Sequence, residues 1–426
     1  MTGPRIAPLV ITETDRRRAL ILLFMVSVFN YGDRNMLGVL VPSIKADLQL
    51  SDTEIGFITG VAFALFYGFM GIPIARLADT MSRKAVVSVA LGMWSAMTVL
   101  CGVAQNFLQL AVARVLVGVG EAGATPPSHA MIADLFPKAR RAGALAIYSM
   151  GSPVGLIITY LIGGWITQEY GWRAALFAFG VPGIVAAVIL YVKLKEPPRG
   201  HSEGGESLTP APVGEALRHL LSRPAFRQNA IATGIFSFLW FGLLSWVPSF
   251  FTRTHGMSIA EVGAWLSLAL GVAQLIGTLL GGWAGDKLGG HDMRWYAWWC
   301  AGIMVVSAPF YVFVFLWPNP IPAVLVLSIP VMLSVSQGGP QHWITQAVAG
   351  PRMRATATAL YLFIVNMISG LGAQTIGFLS DRLTPAYGND ALGRVLLGVG
   401  VVASLWSAVH FMLINRTLAN DIDRPK

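Results

Sequence analysis

The chain has 426 residues, of which 55% are hydrophobic and only 12% are charged, and its mean hydropathy is +0.63. Soluble domains carry roughly 25% charged residues, so this chain lacks the polar surface of a water-soluble globule. Its net charge of +9 comes from short basic clusters between apolar stretches, which is a membrane pattern and not a nucleic-acid-binding face. The only two cysteines lie in apolar runs, which excludes a disulfide scaffold.

Twelve apolar stretches are long enough to cross a membrane, which takes about 20 residues in a helix. Helices are predicted because lipid cannot satisfy free backbone groups, and the alternating segments of a β-barrel are absent from the sequence. The predicted spans, numbered 1 to 12, are 19–41, 54–77, 84–105, 107–130, 142–166, 173–195, 227–252, 260–285, 294–316, 321–348, 355–380 and 394–415.

Lysine and arginine are distributed unequally between the two sides of these spans. With the N-terminus in the cytoplasm, 23 of the 30 fall on the cytoplasmic side and 5 on the other, while Arg34 and Arg114 lie inside spans. Basic residues favour the cytoplasmic side of a membrane. We therefore expect a multi-pass protein of the cell inner membrane with both termini in the cytoplasm.

One long polar stretch, 196–226, divides the spans six and six, and the two parts share a repeat. Matches spaced 206 to 214 residues apart are Val41 with Val247, Ser51 with Ser258, Glu54 with Glu261, Asp79 with Asp286 and Arg140 with Arg354. The two Ser-x-x-Glu pairs are predicted capping boxes that begin helices. We predict a cytoplasmic tail 1–18, a six-helix half 19–195, a cytoplasmic linker 196–226, a second six-helix half 227–415 and a tail 416–426.

The segment 75–84 (ARLADTMSRK) resembles the G-x-L-A-D-R-x-G-R-K signature of the major facilitator superfamily, although it departs at both glycines and at the first arginine. Its repeat copy at 282–289 (GWAGDKLG) keeps the Gly, Asp, basic residue and Gly. The resemblance implies an all-α membrane protein of twelve helices in two parallel six-helix halves. It also implies that these loops close the inner side when the carrier opens outward, with Asp79, Arg83, Lys84, Asp286 and Lys287 as the conformational gate.

Three further segments resemble the spinster-like subfamily: 30–34 (NYGDR), 114–122 (RVLVGVGEA) and 132–136 (IADLF). A subfamily of organic anion:cation symporters shares the D-R and the E-A, but the G-x-G-E-A followed by I-A-D-L-F favours spinster. This resemblance implies transport of lysophospholipids or sphingosine-1-phosphate, with proton coupling in some members.

Four charged residues lie deep in the predicted spans: Asp33 and Arg34 in span 1, and Arg114 and Glu121 in span 4. Each costs a few kcal/mol or more there, so it is expected to face a cavity and have a partner. Helical rise places Asp33 level with Arg114, about 20 Å above the cytoplasmic side, and Glu121 about 10 Å lower. We expect Asp33 to pair with Arg114, and Glu121 to be within reach of Arg34 only through a long side chain or water.

These positions suggest different roles in proton coupling for Asp33 and Glu121. Burial favours a protonated carboxyl and a nearby cation favours the ionised one. Asp33 is expected to stay ionised beside Arg114 and to orient the arginines, whereas Glu121 is the better proton carrier. The expected order is that Glu121 gains a proton when the anionic head of the cargo leaves Arg34. The alternative is that both pairs only lock span 1 to span 4.

The second half has no charged residue deep in its spans, and span 7 carries the aromatic run 236–241 (FSFLWF). A cavity with one charged and one apolar wall suits an amphipathic cargo, unless the aromatic run faces lipid. One or two of its four rings are expected to face the cavity. The candidate substrate-binding residues are Asn30, Tyr31, Arg34, Arg114, Phe236, Trp240, Gln337 and Asn366. Among lesser candidates, His342 could line the cavity, and His129 is interpreted as interfacial.

The main rival is a proton-linked symporter of small organic anions, which would need polar or basic residues from both halves. An intramembrane enzyme would need a nucleophile beside a base, but Ser336 and His342 lie on opposite faces of a regular helix. A protein with a purely structural role would not need charged residues at mid-membrane. We expect no catalytic residue, metal or cofactor. The expected partners are an amphipathic small molecule, protons and membrane lipid, with no nucleic acid, and the expected state is a monomer.

Overall fold

The computed structural model describes residues 11–198, 212–289, 292–350 and 352–422, and these residues form helices and connecting turns without a strand. We number twelve long helices in chain order: α1 Glu13–Leu48, α2 52–80, α3 Arg83–Gly102, α4 107–135, α5 138–170, α6 Trp172–Lys193, α7 Pro224–His255, α8 Ile259–Gly289, α9 Arg294–Leu316, α10 320–349, α11 Arg354–Tyr387 and α12 Ala391–Ile414. Helices α1–α6 are called the N-terminal half and α7–α12 the C-terminal half. A shorter helix, Val213–Ser222, precedes α7 and is called the linker helix.

Four of the long helices are interrupted. α2 and α5 contain the π-helical turns Phe57–Val61 and Thr159–Gly163. α4 is broken between Glu121 and Thr125, and α10 is broken at Gln337. Such breaks are found at functional sites and beside cavities, because the freed backbone groups need polar neighbours inside a membrane.

Ten stretches of the described residues are long and apolar enough to cross a membrane, and the last, Thr356–Ile414, includes both α11 and α12. α1 is not among them, because its polar run at residues 30–35 interrupts the apolar sequence. The apolar, all-helical architecture is therefore confirmed, while twelve spans and cytoplasmic termini stay predictions.

The predicted polar linker is partly structured. It contains the linker helix and the start of α7, whereas 199–211 lies outside the described residues, as do parts of both predicted tails, 1–10 and 423–426. The linker helix buries Ala216 and Leu220 and exposes its charged face.

Both predicted capping boxes are confirmed. Ser51 and Glu54 bond each other's backbone N–H at the start of α2, and Ser258 and Glu261 do the same at the start of α8. The two repeats therefore begin their second helix with the same local structure.

The halves meet mainly through three helix pairs: α1 with α7, α2 with α11 and α5 with α8. Glycine permits the closest approaches. A Cβ on Gly263 of α8 would lie 2.2 Å from the carbonyl oxygen of Tyr160 on α5, and one on Gly38 of α1 would lie 2.4 Å from that of Leu244 on α7. These contacts lie toward the end of the bundle where α1 ends and α2 begins, which the predicted orientation places outside. We call it the outer end and the opposite one the inner end.

Candidate functional site

The four deep charges meet between α1 and α4. Asp33 Oδ1 lies 4.0 Å from Arg114 Nη1, and both side chains are buried. Thr98 of α3 donates a hydrogen bond to the other oxygen of Asp33. The predicted pairing of Asp33 with Arg114 is confirmed, and it rests on the equal depth of the two residues on antiparallel helices.

Glu121 is bound directly to Arg34. Nε and Nη2 of Arg34 lie 3.3 and 3.2 Å from Glu121 Oε2, which also accepts a hydrogen bond of 3.3 Å from Asn30 Nδ2. The long arginine side chain spans the difference in depth without an intervening water. The expectation that Glu121 is reached by Arg34 through a long side chain is confirmed, and the alternative of a bridging water is not needed.

Aromatic rings lie beside both guanidinium groups. The Cζ of Arg34 lies 4.7 Å from the ring centre of Tyr67, 4.9 Å from that of Phe63 and 5.7 Å from that of Tyr31. Phe63 also lies 5.4 Å from the Cζ of Arg114. Such contacts stabilise a cation where water is scarce. Sequence reasoning missed Phe63 and Tyr67, although their i, i+4 spacing in α2 was the available signal.

A cavity of ≈ 40 Å³ borders this cluster and reaches both halves. Its charged lining residues are Arg34 and Arg114, both from the N-terminal half. The C-terminal half contributes Phe241, Leu244, Ser245, Asn366, Ser369 and Gly370. The charge of the lining is therefore as uneven as the sequence predicts.

The uncharged wall is more polar than predicted. Ser245, Asn366 and Ser369 line it beside Phe241 and Leu244. The predicted place of Asn366 at the cavity is confirmed, whereas the sequence analysis missed Ser245 and Ser369, which make this wall more polar than expected. Asn366 and Ser369 share a helix face through their i, i+3 spacing.

The other predicted binding residues lie near the cluster or apart from it. Asn30 and Tyr31 contact Glu121 and Arg34, as described above. Of the aromatic run, Phe241 lines this cavity. Phe236 and Trp240 are not among its lining residues and pack with their ring centres 6.2 Å apart. Gln337 is fully buried at the break in α10 and does not line it either.

The predicted gate residues lie at the inner end. Arg83 is buried, with Nη1 2.5 Å from Asp134 Oδ2 and Nη2 donating to the carbonyl of Pro197 at 2.8 Å. Lys84 lies over the ring of Tyr191, and Lys287 over that of Trp283. These contacts join residues of the same half. The side chains of Asp79 and Asp286 lie outside the described residues.

The outer end holds a second charged cluster, which sequence reasoning missed. Asp52 of α2, only 1% exposed, accepts hydrogen bonds from Lys45 Nζ at 2.5 Å, from Arg253 of α7 at 2.7 and 2.8 Å, and from Ser380 of α11 at 2.7 Å. Asp381 of α11 in turn accepts from the backbone N–H of Thr53 at 2.7 Å. The sequence signal was weak, since Lys45 and Arg253 are ordinary loop charges until the fold brings them together.

Comparison with known proteins gives a consistent result. The family model described as Major Facilitator Superfamily matches residues 23–373. A solved bacterial homologue of the human lysosomal transporter Spinster, in an inward-facing and unoccupied conformation, superposes with a TM-score of 0.87 at 30% identity, over 98% of this chain and 100% of the other.

Curated relatives have names that describe different transport activities. An MFS-type efflux pump of Mycolicibacterium smegmatis is 35% identical over 94% of this chain and 93% of its own length. A hexuronate transporter of Bacillus subtilis is 24% identical over 96% and 98%.

Proposed function

Because this chain belongs to the Major Facilitator Superfamily as a spinster-like member, we propose that it carries an amphipathic, lipid-derived anion of the lysophospholipid or sphingosine-1-phosphate type. Transport proceeds by alternating access and is coupled to protons through Glu121 and Asp33. The carrier acts as a monomer in the cell inner membrane, with Asp79, Arg83, Lys84, Asp286 and Lys287 at its inner gate.

The observation that carries the proposal is the pair of guanidinium groups at the cavity. Arg34 and Arg114 both line it, and both are flanked by Phe63. Guanidinium groups bind phosphate and carboxylate oxygens with two parallel hydrogen bonds, and they do so most strongly where water is excluded. An anionic head is the group that this site recognises best.

The apolar neighbours of the arginines favour a cargo with an acyl or alkyl chain. Leu37, Phe63, Phe241 and Leu244 line the same cavity. At ≈ 40 Å³ it holds water molecules but not a lipid. Binding of such a cargo therefore requires the two halves to move apart, as alternating access demands.

The direct contact between Arg34 and Glu121 sets the order of proton and cargo binding. In the structure the guanidinium is bound to the Glu121 carboxylate and favours its ionised form. An anionic head that binds Arg34 competes with that carboxylate, which then gains a proton in its buried setting. Proton and anion therefore bind together and move as a symport, which is the reverse of the order expected from the sequence.

Variants of the two carboxylates test this coupling in proteoliposomes with radiolabelled 1-oleoyl-lysophosphatidylglycerol. Glu121→Gln should remove the pH dependence of transport and leave binding largely intact, because glutamine mimics the protonated state. Asp33→Asn should impair transport at every pH, because Arg114 loses its partner. Full pH dependence in Glu121→Gln together with its loss in Asp33→Asn would reverse the two roles.

A proton-linked symporter of small organic anions is the second candidate. The polar residues Ser245, Asn366 and Ser369 on the uncharged wall favour it, since they could bind the hydroxyls of a sugar acid. A competition experiment distinguishes the lipid carrier from the small-anion symporter. Unlabelled glucuronate at millimolar concentration should not displace labelled lysophosphatidylglycerol from the lipid carrier, whereas the small-anion carrier would transport glucuronate and ignore the lipid.

A further inference from the structure

Two histidines lie near each other on opposite halves of the bundle. His129 lies on α4 and His342 on α10, and both side chains are exposed. Their rings are close enough to interact electrostatically. Exposed rings that interact across the two halves border the space between those halves and not the lipid.

Each histidine packs edge-on against a tyrosine of the following helix. The ring centres of His129 and Tyr148 are 5.0 Å apart, and those of His342 and Tyr361 are 5.7 Å apart. The two histidines are 213 residues apart in the sequence, and so are the two tyrosines, which is within the repeat spacing of 206 to 214. The repeat thus places two equivalent His–Tyr pairs on opposite sides of one space.

The pairs lie on the inner side of the arginine cluster. His129 follows Glu121 by eight residues across the break in α4, toward the inner end. Tyr148 lies near Tyr31 and Tyr67, the rings beside Arg34. Its hydroxyl lies near Thr125 and Ser128 without a hydrogen bond of ordinary geometry. A row of polar groups therefore connects the arginine cluster with His129.

The groups around the histidines favour an anion. Within the described ranges, no carboxylate interacts electrostatically with either imidazole; the groups that face them are the other histidine and the two tyrosines. Imidazole N–H groups bind carboxylate and phosphate oxygens in either protonation state of the ring. Two such donors on opposite sides match an anion with at least two oxygens.

We propose that His129 and His342 form an inner binding site for the anionic head of the cargo. The head leaves Arg34 and Arg114 and binds between the two imidazoles before release at the inner end, while Tyr148 and Tyr361 position the rings. This site rests on the carrier function proposed above, but its ligand chemistry can be tested separately from transport.

The test is protection from chemical modification, using the full-length protein in lipid nanodiscs. Diethyl pyrocarbonate modifies exposed histidines, and mass spectrometry reads each position. Bound 1-oleoyl-lysophosphatidylglycerol should slow modification of His129 and His342 roughly tenfold at about ten times its dissociation constant. His219 of the linker helix and His410 of α12 are internal controls and should be unchanged. Neutral 1-monooleoylglycerol should protect none of the four.

Further arms separate the site from the carrier function. Protection should persist in the double variant Arg34→Gln, Arg114→Gln; its loss there would show that the histidines are shielded only by closure around cargo at the arginines, and would overturn the proposal. If glucuronate protects the histidines and the lysolipid does not, the inner site stands, and its ligand is a small organic anion in place of the lipid. Protection without transport of either anion would retain the site and refute the carrier function. Absence of protection by both anions would overturn the site.

Discussion

The two ends of the bundle are held together in different ways. At the outer end, Asp52 of the N-terminal half is bound to Arg253 and Ser380 of the C-terminal half. At the inner end, Arg83 is bound to Asp134 of the same half, and its backbone N–H donates to Glu196 in the segment that follows α6. Charged contacts thus join the two halves at the outer end, whereas at the inner end the Arg83–Asp134 pair connects helices of a single half. The difference indicates which contacts must break for the carrier to open outward.

Asp52→Asn should produce the largest change in this comparison. Removing one partner of a buried ion pair costs about 3–5 kcal/mol, which is enough to shift states that differ by a few kcal/mol. In intact cells, an impermeant maleimide should label the cavity variant Ser245→Cys faster when Asp52→Asn is added.

Asp47→Asn is the matched control, because Asp47 is an outer carboxylate whose partners, Trp172 and Arg173, belong to its own half. It should leave the labelling rate unchanged. Equal labelling in both variants would show that charge at the outer end does not hold the halves together. The native cysteines, Cys101 and Cys300, are buried and should contribute little background.

Arg83→Gln should have the next largest effect, and of a different kind. Asp134 loses its buried partner, which costs up to about 3–5 kcal/mol. Glu196 keeps the hydroxyl of Ser82 and the backbone N–H of residue 83. The thermal unfolding temperature, followed by tryptophan fluorescence, should fall while labelling of Ser245→Cys stays constant. Lys84→Gln, next along the helix, should change neither. Faster labelling in Arg83→Gln would mean that the contact of Arg83 with Asp134 also controls opening.

Gly263→Ala tests the outer contact without altering charge. The added methyl group would lie 2.2 Å from the carbonyl oxygen of Tyr160, so α5 and α8 must separate. Labelling of Ser245→Cys should rise, but less than with Asp52→Asn, because small backbone shifts can relieve part of the overlap. Gly398→Ala on α12, whose added methyl group meets nothing within 4 Å, should behave as the parent. A rate in Gly263→Ala equal to that control would refute the close approach.

The smallest effect concerns pH and the ion pair of Asp15 with Lys195. Lys195, 2.9 Å away, and Thr12 lower the pKa of Asp15 from its usual 3.8 to about 2. The lowered value means that the ionised carboxylate stabilises the fold above pH 4, and that this contribution is lost as the pH falls toward 2. Wild type should therefore be slightly more stable than Asp15→Asn at pH 6, and the two should converge as the pH approaches 2. A constant difference between them would contradict this assignment.

The sequence predicts features that depend on local spacing or on depth along one helix. The capping boxes at Ser51 and Ser258 are local, and the Asp33–Arg114 pair follows from helical rise. The Asp52 cluster depends on side chains from α1, α2, α7 and α11, which no single-helix pattern brings together. The spacing of Phe63 and Tyr67 shows that they share a face of α2, but it does not show whether that face meets lipid or the arginines, since apolar surfaces in a membrane look alike.

Proton flux driven by the cargo itself tests the central claim most directly. Liposomes containing the purified carrier and an internal pH-sensitive dye receive 1-oleoyl-lysophosphatidylglycerol outside, with no imposed pH gradient. Because binding of the anionic head to Arg34 frees Glu121 to take up a proton, the lumen should acidify as the lipid enters, and Glu121→Gln should abolish this acidification. Alkalinisation, or lipid entry without any pH change in the wild-type carrier, would contradict the account.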